Sequence, residues 1–234
     1  MLVDDFGGII RKARTGLGLS LDEVAKACGL DPERLHDLEI QARPDESEVR
    51  QLASALDLAP GALWEAAQGL WHPGPVPMAK HGLNVHTMGV RQPDGRITNC
   101  HLAGYEGDEE AIVVDPGGEP ACILAELDRR GWRPRYVAIT DAHPTHVGGL
   151  RPILDEWGVS VLIGAAKLPS LGWSDGRFHP VGPGETLTLG RYWLRALRTP
   201  GHTPGGTSFL LDNACFVGDA LVAGSIGTFP QPEA

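Results

Sequence analysis

The 234-residue chain lacks the features of several specialised protein classes. Its four cysteines, Cys28, Cys100, Cys122 and Cys215, form no C-x-x-C pair, so we expect reduced thiols and no disulfide framework. No apolar run reaches the length that spans a bilayer, and the acidic first residues do not resemble a secretory signal. We therefore expect a cytoplasmic protein with no membrane partner.

Basic residues are also scarce. The chain has 20 lysines and arginines against 30 aspartates and glutamates, for a formal net charge of −10. Residues 1–70 hold 7 of these basic and 13 of these acidic residues, and the remainder of the chain holds 13 and 17. Nucleic-acid-binding surfaces are normally rich in Lys and Arg, so neither part has that composition.

The chain changes character near residue 70. Helical periodicity dominates before it, a Pro- and Gly-rich stretch follows, and short β-branched runs then alternate with helices. This pattern predicts an α+β protein with an all-α domain over 1–68, a linker over 69–82 and a sheet-containing domain over 83–234.

The all-α part contains two short helices joined by a glycine. "SLDEVAKACGL" predicts a helix with Ser20 as its N-cap, Glu23 completing a capping box and Gly29 at its end. A second helix is predicted to begin at Pro32. The segment from about residue 9 to residue 63 resembles the Cro-like helix-turn-helix domains. The resemblance implies DNA as a partner, with the helix that begins near Pro32 in the major groove.

The charges on that second helix leave the inferred DNA contact open. Arg34, His36 and Arg43 are the candidate DNA-binding residues, but Glu33 and Asp37 stand among them, and carboxylates repel phosphates. The alternative is a helical module for dimerisation or docking. We expect a homodimer in either case.

Four motifs of the second domain place His and Asp residues directly after predicted strands. "VVDPGG" ends in Asp115, and "TDAHPTHVGG" holds Asp141, His143 and His146. "TPGHTPGG" holds His202, and "GDALVAGSIG" holds Asp219. Strand ends can converge on one edge of a sheet, and such side chains there are typical ligands of a borderline cation.

In order and spacing these motifs resemble the metallo-β-lactamase superfamily, and most closely its glyoxalase II-type hydrolase branch. The resemblance implies an αβ/βα sandwich of two β-sheets flanked by helices. It also implies one or two metal ions, mostly zinc and sometimes iron or manganese, that support hydrolysis of esters, thioesters, amides or phosphodiesters.

The central motif departs from the family pattern T-H-x-H-x-D-H-x-G-G at two positions. The first histidine falls on Asp141 and the aspartate falls on Thr145, whereas the other ligand positions are kept as His143, His146, His202 and Asp219. Asp115 matches the aspartate that supports the ligands from behind. No histidine follows Asp219 to supply the last family ligand, so the resemblance leads us to expect a domain that is shorter at its C-terminus than the family pattern.

The resemblance therefore implies at most one metal ion, held by Asp141, His143, His202 and Asp219. His146 and Asp219 are what remains of the second position. Aspartate is shorter than histidine by about 2 Å, close to a whole metal–ligand bond, so a metal-free site is the open alternative. Asp141 and Asp219 are the candidate catalytic residues, and Thr145 removes a carboxylate that would position water.

Three hypotheses of function follow. The first is a hydrolase-like protein that acts weakly or not at all on small esters or thioesters. The second is a transcriptional regulator whose hydrolase-like domain senses a small-molecule metabolite or a metal. In the third, both domains serve only as interaction modules.

Overall fold

The computed structural model describes residues 5–40, 42–70, 82–93, 95, 97–222 and 225–226. These residues belong to two compact units, a helical one that includes residues 5–70 and a sheet-containing one that includes residues 82–220. Most of the predicted linker 69–82 and the end of the predicted domain 83–234 lie outside the described residues. None of the described helices has both the length and the apolar character needed to cross a membrane.

The helical unit contains five helices: α1 (Phe6–Gly16), α2 (Leu21–Cys28), α3 (Pro32–Ile40), α4 (Glu46–Ala55) and α5 (Pro60–Ala67). The predicted capping box of α2 is confirmed, because Ser20 Oγ accepts from the Glu23 N–H at 3.2 Å and the Glu23 carboxylate accepts from the Ser20 N–H at 2.7 Å. Gly29 ends the helix in the left-handed region at φ 65°, where a side chain would be strained. Ile10, Leu35, Leu38 and Leu52 are fully buried in the shared core.

The main sheet of the second unit has six strands in chain order. Its strands are β1 (Leu83–Arg91), β2 (Ile97–Tyr105), β3 (Glu110–Val114), β4 (Arg133–Ile139), β5 (Ser160–Gly164) and β6 (Phe178–Val181). The pairs from β1 to β3 are antiparallel and those from β3 to β6 are parallel. The helices of this unit are α6 (Pro120–Arg130), α7 (Pro144–Val147) and α8 (Leu150–Trp157).

A second, antiparallel sheet has the strand order β10-β9-β8-β7. Its strands are β7 (Thr186–Leu189), β8 (Tyr192–Arg198), β9 (Thr207–Leu211) and β10 (Ala214–Phe216). A short hairpin of β11 (Leu221–Val222) and β12 (Ser225–Ile226) groups with the helical unit.

The central strands of the six-stranded sheet, β3, β4 and β5, are buried on both faces. Along β4, Tyr136 and Ala138 pack into a core shared with Phe209 of the second sheet. The alternate residue Val137 packs into a separate core with Ile153 of α8. This period-two alternation gives a layered arrangement of helices, sheet and sheet. Since β3, β4 and β5 are parallel, the loops that follow them leave the same edge of the sheet.

Candidate metal centre

The loops at this edge carry the predicted polar residues. Asp115 follows β3, Asp141 follows β4, and Lys167 follows β5. The second sheet contributes His202 from the loop between β8 and β9, and Asp219 from a 3₁₀ turn after β10. The candidate site is therefore assembled from both sheets of one unit.

Asp115 ties two of these loops together. Its backbone is in the left-handed region at φ 52°, which turns the chain sharply at the end of β3. One carboxylate oxygen accepts from the Thr140 N–H at 2.8 Å, and the other accepts from the Thr140 hydroxyl at 2.6 Å. Because Asp115 is buried, these bonds fix the end of β4, from which the next site residues follow.

His146 is held between two aspartates. Its Nδ1 lies 2.9 Å from Asp115 Oδ2, and its Nε2 lies 3.2 Å from Asp219 Oδ2. Burial alone would lower the pKa of His146, but the charges and hydrogen bonds of Asp115 and Asp219 outweigh it and raise the pKa to about 11. In the metal-free protein these contacts favour the protonated imidazolium, so a metal ion would have to displace a proton from His146 in order to bind it.

Three of the five predicted ligands come together. Asp141, His143 and His202 offer ligand atoms that all lie within 4.8 Å of one another. The two imidazole rings meet edge to face with their centroids 5.1 Å apart, and His143 Nδ1 lies 3.1 Å from Asp141 Oδ1. Asp219 Oδ2 lies 3.6 Å from His202 Nε2, so this aspartate lies beside both His202 and His146.

Asp141 already has several donors around its carboxylate. Thr203 Oγ1 donates to Oδ2 at 2.5 Å, and the His143 N–H donates to Oδ1 at 3.1 Å. Lys167 Nζ lies 3.2 Å from each oxygen. Burial alone would raise the pKa of this carboxyl, but the hydrogen bond from Thr203 and the charges of Lys167 and His143 hold it below its usual value.

Thr145 supplies a backbone contact to the site. Its carbonyl oxygen accepts from Thr98 Oγ1 at 3.2 Å and from Gln92 Nε2 at 3.3 Å. A Cβ at Gly117 would lie only 1.8 Å from that oxygen. The loop after β3 therefore needs glycine to pass this close to the histidine-bearing turn.

The candidate DNA-binding residues lie on or after α3. Arg34 pairs through Nε with Glu48 Oε1 at 2.8 Å, and its Nη2 donates to the Arg43 carbonyl at 3.0 Å. His36 is exposed beside the exposed carboxylates of Glu33 and Asp37. The outward side of α3 is thus acidic, and its one arginine is engaged by a carboxylate.

The sequence interpretation missed Lys167 and Thr203. Thr203 directly follows His202 within the "TPGHTPGG" motif. Lys167 follows a parallel strand, as Asp115 and Asp141 do. The same argument from strand ends predicts that Lys167 reaches this edge, so its position was a usable signal.

Comparison with known proteins identifies both parts of the chain. The model of the metallo-beta-lactamase superfamily matches residues 93–233, and a helix-turn-helix model matches residues 10–63. A hydroxyacylglutathione hydrolase from Xanthomonas axonopodis pv. citri is 37% identical over 117 residues, which are 49% of this chain and 43% of the relative. A hydroxyacylglutathione hydrolase from Klebsiella pneumoniae is 30% identical over 122 residues, which are 52% and 47% of the two chains. The chain spans about half the length of these curated relatives.

Among solved structures, a metallo-beta-lactamase from Staphylococcus aureus superposes with a TM-score of 0.55 at 23% identity. The match covers 65% of this chain and 46% of the other. At this level of identity the similarity is one of fold.

Proposed function

The chain belongs to the metallo-beta-lactamase superfamily, and on that premise we propose that its sheet-containing unit is a one-metal hydrolase of thioesters or esters with slow turnover. The superfamily and the helix-turn-helix domain predicted from the sequence are confirmed. The observation that carries the proposal is the cluster of Asp141, His143 and His202.

The donor set suits one divalent ion. Two imidazoles and one carboxylate are ligands that zinc, iron and manganese all accept, with zinc the first expectation. Asp219 is the nearest fourth donor, because its Oδ2 lies 3.6 Å from His202 Nε2. When bound, such an ion polarises a carbonyl group and makes water a better nucleophile. His146 is left out of this set because both of its nitrogens face aspartates.

The residues around the ion supply few groups that could accept a proton from the attacking water. Asp141 was one of two candidate catalytic residues, but its oxygens already accept from Thr203, Lys167 and a backbone N–H. We assign the role of proton acceptor to the oxygen of Asp219 that does not face the ion, because this side chain is 41% exposed and can be reached by water. Thr145 brings no carboxylate to this position, so we expect slow hydrolysis.

The substrate class follows from the relatives. Their names describe hydrolysis of hydroxyacylglutathione, which is a thioester. We extend only the bond type to this chain, since it spans about half of their length. Small S-acyl thiols are the substrates to try first.

The test measures metal content and thioester hydrolysis on the same protein. Protein dialysed to equilibrium against excess Zn²⁺, Fe²⁺ or Mn²⁺ is expected to bind one ion per chain, and His202→Ala is expected to lose both that ion and any hydrolysis. His179→Ala is the matched control, because His179 pairs with Glu185 at 2.6 Å, outside the cluster. Binding of no ion by the wild-type protein at excess metal, or equal loss in both variants, would contradict the proposal.

A second candidate function is transcriptional regulation, favoured by the helix-turn-helix match over residues 10–63. In it, the sheet-containing unit would bind a metabolite or metal as a signal. The acidic outer side of α3 and the Arg34–Glu48 pair reduce the expected phosphate attraction. A homodimer with two DNA half-sites is the matching assembly.

This candidate is tested by retention of labelled genomic fragments at low salt. Binding that falls steeply with salt, and that Arg43→Ala weakens more than the control Arg50→Ala, would support it. Arg50 serves as control because it lies on α4 and pairs with Glu46 on the same helix. If no fragment is retained at low salt, the helical unit is a docking or dimerisation module.

A further inference from the structure

Lys167 is a buried lysine that the proposed mechanism does not use. Its residue surface is only 7% exposed. Its backbone is fixed on both sides, because its N–H donates to the Gly164 carbonyl at 2.7 Å and its own carbonyl accepts from the Ser170 N–H at 2.9 Å. The direction in which the side chain leaves the loop is therefore set by a turn that follows β5 directly.

The side chain ends on both oxygens of Asp141. Nζ lies 3.2 Å from Oδ1 and 3.2 Å from Oδ2. Its stem passes beside Gly205, where a Cβ would lie 2.8 Å from Lys167 Cγ. Gly205, in the loop that carries His202, thus leaves the space through which the Lys167 ammonium reaches the Asp141 carboxylate.

A buried ion pair of this kind is weak evidence for a role in stability. The cost of removing two charges from water is often as large as the attraction between them, and an apolar pair of the same size frequently serves as well. The ammonium does change what Asp141 can bind, because a divalent ion on this carboxylate would stand close to an existing positive charge.

We propose that Lys167 is a built-in competitor for the metal at Asp141, which keeps the affinity of the cluster for a divalent ion low. The inference rests on the one-metal site proposed above. Binding of the ion to Asp141 requires the ammonium to move away from at least one oxygen, so the site fills only at high metal concentration. Lys167 acts here through Asp141, as a residue that sets affinity and not as a ligand.

The experiment compares Zn²⁺ affinity in chelator-treated protein, by competition with a chromophoric chelator. Lys167→Met is expected to bind Zn²⁺ more than about tenfold more tightly than the wild type, because one nearby positive charge is removed. Lys26→Met is the matched control, since Lys26 is exposed on α2 in the helical unit and the net charge changes equally. Thermal unfolding gives a readout independent of activity, in which Zn²⁺ is expected to raise the Tm of Lys167→Met more than that of the wild type.

Lys167→Gln makes the same comparison with a smaller risk to folding, because its amide can still donate to Asp141. The double variant Asp141→Asn/Lys167→Met is expected to lose the gain in affinity. Unchanged or weaker Zn²⁺ binding by both lysine variants overturns the inference and leaves the one-metal proposal standing. A gain that survives in the double variant also overturns it. Absence of Zn²⁺ binding in every protein overturns both proposals.

Discussion

His146 is clamped between Asp115 and Asp219, and this clamp gives a prediction that distinguishes the roles of the two aspartates. Asp115 is buried and lies 2.9 Å from Nδ1 of the imidazole, whereas Asp219 lies 3.2 Å from Nε2 and its side chain is 41% exposed. The perturbation is Asp219→Asn in chelator-treated protein, which keeps a similar shape and removes one negative charge. Asp115→Asn removes the other.

The exposure of each aspartate sets how much its replacement should change the free energy of unfolding and the pKa of His146. A hydrogen bond to a charged group contributes about 1.5–3 kcal/mol, and solvent screening at half-exposed Asp219 reduces this to about 1 kcal/mol. The pKa of His146 should then fall by less than about one unit. Removing one partner of a buried pair costs about 3–5 kcal/mol, so Asp115→Asn should be much more destabilising.

The direction of the pH dependence follows from the raised pKa. The native pKa of about 11 lies above the unfolded value of about 6.5, so the native state binds the proton more tightly. The contribution of the clamp to stability is therefore full below about pH 6.5 and is lost as the pH rises through about 11.

The assay is a ¹H–¹⁵N correlation spectrum of the histidine rings recorded from pH 5 to pH 10, with urea unfolding at pH 6. Both His146 nitrogens should stay protonated over most of that range in the wild type and in Asp219→Asn. Asp155→Asn is the control, because Asp155 is a carboxylate of the same unit with a side chain 79% exposed. Titration of wild-type His146 with a midpoint near pH 6.5 would refute the reasoning, as would equal costs for Asp219→Asn and Asp115→Asn.

Three further predictions concern the scaffold. Gly117→Ala should destabilise the sheet-containing unit by more than about 3 kcal/mol in urea unfolding, because its Cβ would overlap a backbone oxygen. The control is Gly176→Ala, which has nothing near its Cβ and should change the free energy of unfolding by less than about 0.5 kcal/mol. Equal effects of the two variants would contradict this prediction. Ser20→Ala should cost the helical unit about 1 kcal/mol through loss of its capping box, and calorimetry that finds no change would argue against that cap. A thiol reagent should label exposed Cys215 in the native protein and buried Cys100 only after unfolding, an order that mass spectrometry of timed samples can disprove.

Features set by neighbouring residues could be predicted from the sequence. The capping box at Ser20 and the left-handed end at Gly29 depend on residues within one turn, so the pattern was sufficient for both. The convergence of Asp115 and Asp141 followed from strand ends in a parallel sheet. The helix cap depends on local spacing, and the convergence requires only that β3 and β4 lie side by side in one sheet.

Features set by the path of a side chain could not be predicted in the same way. No motif in the sequence indicates that the imidazole of His146 turns both nitrogens toward aspartates. The short side chain of Asp141 suggested a gap at one ligand position, whereas the structure shows an ammonium at that carboxylate. The route of Lys167 past Gly205 joins loops that are distant in the chain, and only tertiary packing brings them together.

The division of the site between two sheets has a consequence for folding kinetics. Asp115, Asp141 and His146 follow strands of the six-stranded sheet, but His202 and Asp219 arrive only with the antiparallel sheet. Such contacts between distant parts of the chain form slowly, because the intervening loop must be closed first. The clamp and the ligand cluster are therefore complete only when both sheets are formed and docked, because each sheet alone carries part of the residues. An ion or ligand that bridges the two halves would then act mainly on the rate of unfolding.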